Sequence, residues 1–208
     1  MAVWLKAELG LAAGAGPDAL LDWFTGPGRD ATATLGGHLW GAWHGAPGLG
    51  LRSDAVLLFT VWPDDAAAGA ATELMAAAPA VITVEGTPLH ATARPVDEQP
   101  VTGDGIWVFR DFEIASEDAE RFVELSASAW TTFEARFDVR IDGLFRAPDP
   151  TADTARLLLV TRYADLATWE ASRSAEADPE SWERFLERRA LTRWTRACSA
   201  PRLKVRGA

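Results

Sequence analysis

The chain has little from which to build a covalent or metal-held framework. Its 208 residues include a single cysteine, Cys198, which excludes an internal disulfide and a cysteine-based zinc site. No histidine lies near Cys198 in sequence, so it is not assigned as a catalytic thiol. No run of about 18 apolar residues occurs, so no membrane-spanning helix is expected. The opening Met1-Ala2-Val3-Trp4-Leu5-Lys6 lacks the basic start and long apolar core of a signal peptide, and the cytoplasm is the expected location. Positive charge is also scarce: 20 Lys and Arg stand against 30 Asp and Glu, a formal net charge of −10, which argues against a nucleic-acid partner. Ser-x-x-Lys, Gly-x-Ser-x-Gly and His-Glu-x-x-His are all absent. The glycine-rich stretches Gly36-Gly37 and Gly45–Gly50 lack the Lys-Ser/Thr of a phosphate loop.

What is present is a repeat. Gly41-Ala42-Trp43-His44-Gly45-Ala46-Pro47 is echoed by Gly143-Leu144-Phe145-Arg146-Ala147-Pro148. Leu57–Trp62 with Pro63-Asp64 is echoed by Leu158–Tyr163 with Ala164-Asp165. The spacing is held to within one residue, and we read it as a tandem duplication. The ten tryptophans divide five and five between the halves, which suits a shared scaffold. Charge is less evenly shared: residues 1–100 carry −7 and residues 101–208 carry −3, because the second half is rich in arginine.

Periodicity and turn residues give each half the same order of elements. In the first, Val3–Leu9 reads as a strand, and Pro17-Asp18 opens a helix bearing Leu20, Leu21, Trp23 and Phe24. His38–Trp43 and Ala55–Trp62 read as strands, Asp64-Asp65 caps an alanine-rich helix, and Val81–Arg94 returns as a broken strand. In the second half, Ile106–Ile114 is a strand and Ser116 caps a helix, acidic in its first turn at Glu117 and Asp118, that carries Phe122, Val123, Trp130, Phe133 and Phe137. Arg140–Arg146 and Ala155–Tyr163 form a hairpin, Asp178-Pro179 opens a helix, and Arg202–Arg206 closes the unit. The predicted fold is α+β: two tandem ferredoxin-like βαββαβ units, residues 1–94 and 105–208, joined by a linker at 95–104. Each unit would leave one sheet face bare, so the lobes are expected to pair their sheets within the chain as one α+β barrel, with a small-molecule ligand between the sheets. A further homodimer stays open.

The second half also resembles a known family. Gly143-Leu144-Phe145-Arg146, Leu158–Tyr163, Asp165, Trp169-Glu170-Ala171-Ser172-Arg173 and Arg188-Arg189 are similar, in that order, to the NIPSNAP family of the dimeric α+β barrel superfamily. The resemblance spans roughly residues 105–206; the first half keeps only the turn Trp62-Pro63-Asp64. It implies a fold and a cavity but supplies no catalytic residue set. The wider superfamily includes cofactor-free monooxygenases, isomerases and cyclases, and haem-binding proteins.

Arginines in strands are the sharpest chemical signal. Arg110 shares a strand face with Val108 and Phe112, and Arg162 shares one with Leu158 and Val160. If both point into the inter-sheet space they form an anion clamp, with Arg146 approaching from the adjoining strand. The alternative is that they pair with neighbouring acids such as Asp111 and Glu113. Their first-half counterparts read as Lys6 and Val61. His38 and His44 are candidates for general-base work, but six residues of strand hold them about 20 Å apart, too far to share a metal. No metal site is assigned. Trp43 and Tyr163 are candidate cavity-lining groups, although Tyr163 is equally suited to packing like its counterpart Trp62.

Three functional readings follow. The first is a small-molecule-binding protein, or a cofactor-independent enzyme of monooxygenase, isomerase or cyclase type, acting on a small, partly apolar anion. The second is a haem protein with a single histidine ligand. The third is a non-catalytic interaction module.

Overall fold

The computed structural model describes residues 2–46, 48–148 and 153–204, and divides into two compact units. Unit 1 comprises residues 1–90, 98–103 and 199–208; unit 2 comprises 91–97 and 104–198. Unit 1 contains β1 (Val3–Leu11), α1 (Asp18–Thr25), α2 (Pro27–Thr34), β2 (His38–His44), β3 (Ala55–Trp62), α3 (Asp65–Ala76) and most of β4 (Val81–Arg94). Its strands lie in the order β2-β3-β1-β4. Unit 2 contains β5 (Ile106–Ala115), α4 (Ala119–Arg136), β6 (Val139–Ala147), β7 (Thr154–Tyr163), α5 (Leu166–Ala171), α6 (Pro179–Ala190) and most of β8 (Thr192–Pro201). Its strands lie in the corresponding order β6-β7-β5-β8. Both units therefore have the ferredoxin-like plan expected from the sequence.

The unit boundaries differ from a simple cut at residues 95–104. The end of β4 belongs to unit 2, where Thr92 Oγ1 donates to the Leu144 carbonyl at 2.6 Å and Arg94 pairs with Glu134 at 2.7 Å. The chain's last described residues belong to unit 1, where Ser199 N donates to the Leu49 carbonyl and Leu203 N to that of Ala42. The closing strand is also displaced. It runs Thr192–Pro201 rather than Arg202–Arg206, and residues 205 and 206 lie outside the described residues. Arg193, Trp194, Thr195 and Arg196 are all exposed, so β8 shows no apolar alternation to read. Helices α2 and α5 were likewise not expected; α2 is short, and Thr32 is one of its few buried residues.

The repeated motifs have local physical causes. In each unit the ladder slips by one residue at the repeated glycine: between Leu39 and Gly41 against β3, and between Ile141 and Gly143 against β7. A Cβ on Gly41 would fall on the Trp43 ring, and one on Gly143 on the Phe145 ring. The Gly-x-aromatic signature is thus a bulge that folds its own aromatic back over the backbone. The aromatic-x-Asp signature is a helix cap: Asp64 accepts from Ala67 N at 2.9 Å and Asp165 from Thr168 N at 2.7 Å.

In each unit one sheet face is covered by helices. In unit 1, Val3, Leu5, Ala7 and Leu9 alternate onto that face and pack with Leu58, Trp62 and the α3 residues Ala68, Ala71 and Met75. In unit 2, Val108, Phe112 and Ile114 do the same with Leu157, Leu159 and Tyr163, beneath Phe122 and Trp130 of α4. On the other face of the unit 2 sheet, the buried Asp142 accepts from Trp107 Nε1 at 2.6 Å and pairs with Arg140. Burial pushes its carboxyl up, opposed by the Arg140 and Trp107 hydrogen bonds. Gly41→Ala and Gly143→Ala are each expected to cost about 1–3 kcal/mol by overpacking against their rings, read as a lower urea midpoint.

Candidate functional site

A cavity of about 90 Å³ lies within unit 2, on the helix-covered face of its sheet. It therefore differs in place from the inter-sheet site that the sequence suggested. Its floor is Val108 and Arg110 of β5, Ile141 of β6, and Leu159, Thr161 and Tyr163 of β7. Its walls are Leu125, Trp130 and Phe133 of α4 and Trp182, Phe185 and Arg188 of α6. The segment joining α5 to α6 adds Ser172, Arg173, Ser174 and Asp178.

The ladder of β5 against β7 decides which side chains meet. Arg110 lies opposite Leu159, and Val108 opposite Thr161, so all four face the cavity. Arg162 lies opposite Trp107, on the other face. The expected clamp of Arg110 with Arg162 is therefore corrected: the two guanidiniums are separated by the sheet. Arg162 instead donates to the Asp104 carbonyl at 2.7 Å and pairs with Asp138. Arg146 is two residues beyond Leu144, toward the far end of β6, and does not line the cavity.

The unit 1 register also replaces one counterpart. Trp62, Thr60 and Leu58 lie opposite Val3, Leu5 and Ala7, as Tyr163, Thr161 and Leu159 lie opposite Ile106, Val108 and Arg110. The position matching Arg110 is thus the fully buried Ala7, not Lys6. Unit 1 closes this region with the Trp62 indole, which donates to Thr60 Oγ1 at 2.7 Å. Unit 2 has the smaller Tyr163 there and a guanidinium in place of a methyl group.

Four arginines line the cavity: Arg184 pairs with Glu187 at 2.8 Å, and the other three have no carboxylate partner among the described residues. Arg173 Nη2 donates to the Tyr163 hydroxyl at 3.1 Å, and its guanidinium lies 5.0 Å from the Trp169 ring centroid. Its buried Nε has no hydrogen-bond partner among the described residues. Arg188 donates to Ser126 Oγ at 3.3 Å and stands 5.3, 5.4 and 5.7 Å from the Phe112, Phe122 and Phe185 centroids. The residue as a whole is half-buried, with its guanidinium close to those rings. Arg110 has no hydrogen bond or ion pair among the described residues. Burial pulls the Arg188 guanidinium down to about 10, and the Arg110 and Arg173 charges add to the effect. Burial, then Arg173, lowers Arg110 in the same direction. No carboxylate is among the groups opposing either shift.

The remaining candidates lie in unit 1 and do not line this cavity. A ring nitrogen of His38 hydrogen-bonds the Glu98 carbonyl at 2.8 Å, His44 sits at the end of β2 opposite Val56, and Trp43 is buried against Trp40 and Phe59. The cavity does not fit a haem with a histidine ligand. All three histidines belong to unit 1, and the free volume falls below the roughly 150 Å³ of an engineered cavity that admits benzene. Among the described residues no cluster of three potential metal ligands occurs, and no helix is long and apolar enough to cross a membrane.

No family model and no curated protein matches the chain. Solved structures do. An anthrone oxidase-like protein is similar at TM-score 0.61 and 10% identity, over 98% of this chain and 92% of that one. A chlorite dismutase from Candidatus Nitrospira defluvii is similar at TM-score 0.61 and 5% identity, over 98% and 92%. A ferredoxin-fold protein related to antibiotic biosynthesis monooxygenases, from Listeria monocytogenes 4b F2365, is similar at TM-score 0.51 and 10% identity, over 97% and 95%. At these identities the likeness is one of fold. The chain has the α+β fold of ferredoxin-like monooxygenase-type proteins and chlorite dismutases.

A base whose pKa is depressed by folding binds fewer protons in the native state, so the native state carries the penalty at neutral pH and sheds it only above about 10. Arg188→Met keeps the stem volume and removes the charge. It is expected to raise stability at pH 7 by about 1–3 kcal/mol in urea unfolding, with the gain shrinking as the pH passes 10. A loss of stability would make Arg188 a structural residue.

Proposed function

We propose that unit 2 binds a small organic anion, a carboxylate, in the cavity floored by Arg110. The carrying observation is the convergence of Arg110, Arg173 and Arg188 on a largely apolar cavity whose lining carboxylate, Asp178, stands by Arg136 and forms an ion pair with none of the three among the described residues. Unpaired buried guanidiniums are costly to the fold, and a bound anion repays them through charge-assisted, fork-shaped hydrogen bonding. The enclosed volume suits a compact acid with a short apolar body lying against Trp130, Phe133 and Phe185.

The same arrangement supports cofactor-free chemistry. Guanidiniums that hold a carboxylate also stabilise an enolate formed beside it. The Tyr163 hydroxyl accepts from Arg173, so its own proton is directed elsewhere and is available to such an intermediate. With the carbon-bound proton passing to Asp178, the carboxylate in the cavity lining, and Tyr163 protonating the enolate, an isomerase-type proton transfer is the reaction class this supports. His38, His44, Arg146, Arg162 and Trp43 take no part in this reading. We also propose a NIPSNAP-like ancestry for unit 2. The segments Trp169–Arg173 and Arg188-Arg189, which carry the resemblance, supply Arg173 and Arg188, two of the four cavity arginines.

Titration calorimetry with the acids from acetate to hexanoate, against the matching primary amides, tests the binding. The acids are expected to bind and the amides not. Arg110→Ala is expected to weaken the best acid by about tenfold to a hundredfold, while Arg162→Ala leaves it unchanged. Equal binding of acids and amides, or no effect of Arg110→Ala, overturns the reading.

A further inference from the structure

The cavity wall holds an unpartnered acceptor as well as unpartnered donors. Asp178 is 4% exposed, and its carboxylate is divided between two tasks. Oδ1 caps α6 by accepting from Ser181 N at 3.3 Å and stands 3.8 Å from Arg136 Nε. Oδ2 is buried and has no hydrogen-bond partner among the described residues. A buried acceptor left unmade costs on the order of 1–3 kcal/mol, so its retention calls for an explanation.

The position of Asp178 is firmly held. Ser181 Oγ hydrogen-bonds both Thr132 Oγ1 at 2.7 Å and the Ala129 carbonyl at 3.0 Å, tying the start of α6 to α4. Asp178 is therefore a fixed acceptor in the wall of the cavity whose floor carries Arg110.

We infer that the ligand is a hydroxy-carboxylic acid, its carboxylate held by Arg110 and Arg173 and its hydroxyl donated to Asp178. This rests on the carboxylate reading and narrows it. One molecule of this class satisfies Arg110, the Arg173 Nε and Asp178 Oδ2 together. An ammonium group would also satisfy Asp178, but four arginines and one aspartate line the cavity, and that field repels a cation. A hydroxyl donates without adding charge.

Affinities of butanoate and of 2-, 3- and 4-hydroxybutanoate, measured by calorimetry on the intact chain, test it. At least one hydroxy acid is expected to bind about tenfold to a hundredfold more tightly than butanoate. Asp178→Asn and Asp178→Ser both keep a helix-capping oxygen but remove the second carboxylate oxygen. Both are expected to bring the hydroxy acids down to the affinity of butanoate. If no hydroxy acid exceeds butanoate, or if the variants weaken butanoate equally, the inference is overturned and the carboxylate reading stands. If neither butanoate nor any of the hydroxy acids binds, both fall.

Discussion

The register of β5 against β7 is the constraint on which the site depends. A strand alternates its side chains with period two, so fixing Arg110 opposite Leu159 also places Val108, Thr161 and Tyr163 beneath the helices and sends Trp107 and Arg162 to the other face. A slip by one residue would exchange the two sets. The ladder is antiparallel along the whole of both strands, and the slip that does occur, at Gly143, is confined to β6.

In unit 1 the corresponding row is apolar. Leu5, Ala7 and Leu9 meet Leu58 and Trp62, and α3 lies over them with Ala68 and Ala71, giving an apolar, closed layer. Unit 2 places Arg110 where unit 1 has Ala7 and walls the space above it with α4, α6 and the segment joining α5 to α6. These elements bring aromatic rings and the further arginines Arg173 and Arg188 toward Arg110. Ring faces offset part of the cost of burying a guanidinium, about 0.5–2 kcal/mol for each close contact, but do not neutralise it. The charge is left for something else to neutralise.

Much of the scaffold was legible because its causes are local. The repeated glycine marks a bulge because the aromatic two residues later occupies the place of its Cβ, and the repeated aspartate caps the helix that follows it. The site was only half legible. Arg110 stood out as a charge on an apolar strand face. Arg173 and Arg188 did not, since an arginine on a helix is ordinarily a solvated group in an i,i+3 or i,i+4 pair, as Arg184 is with Glu187. Their one signal was that both fall in segments resembling NIPSNAP. Asp178 was recognised as a cap, but nothing local shows that its second oxygen is buried.

The sequence by itself determined the ferredoxin-like plan of each half and the sharing of one strand face by Val108, Arg110 and Phe112. Each of these follows from interactions spanning a few residues: alternation, a cap, a bulge. Only the tertiary structure decided which layer covers that face, that Arg162 lies across the sheet from Arg110, and that Arg173 and Arg188 join it. Those outcomes depend on ladder register and on helix packing between residues up to 78 positions apart, as Arg188 and Arg110 are. No local pattern carries that information, because period two says which residues share a face and not what they will meet there.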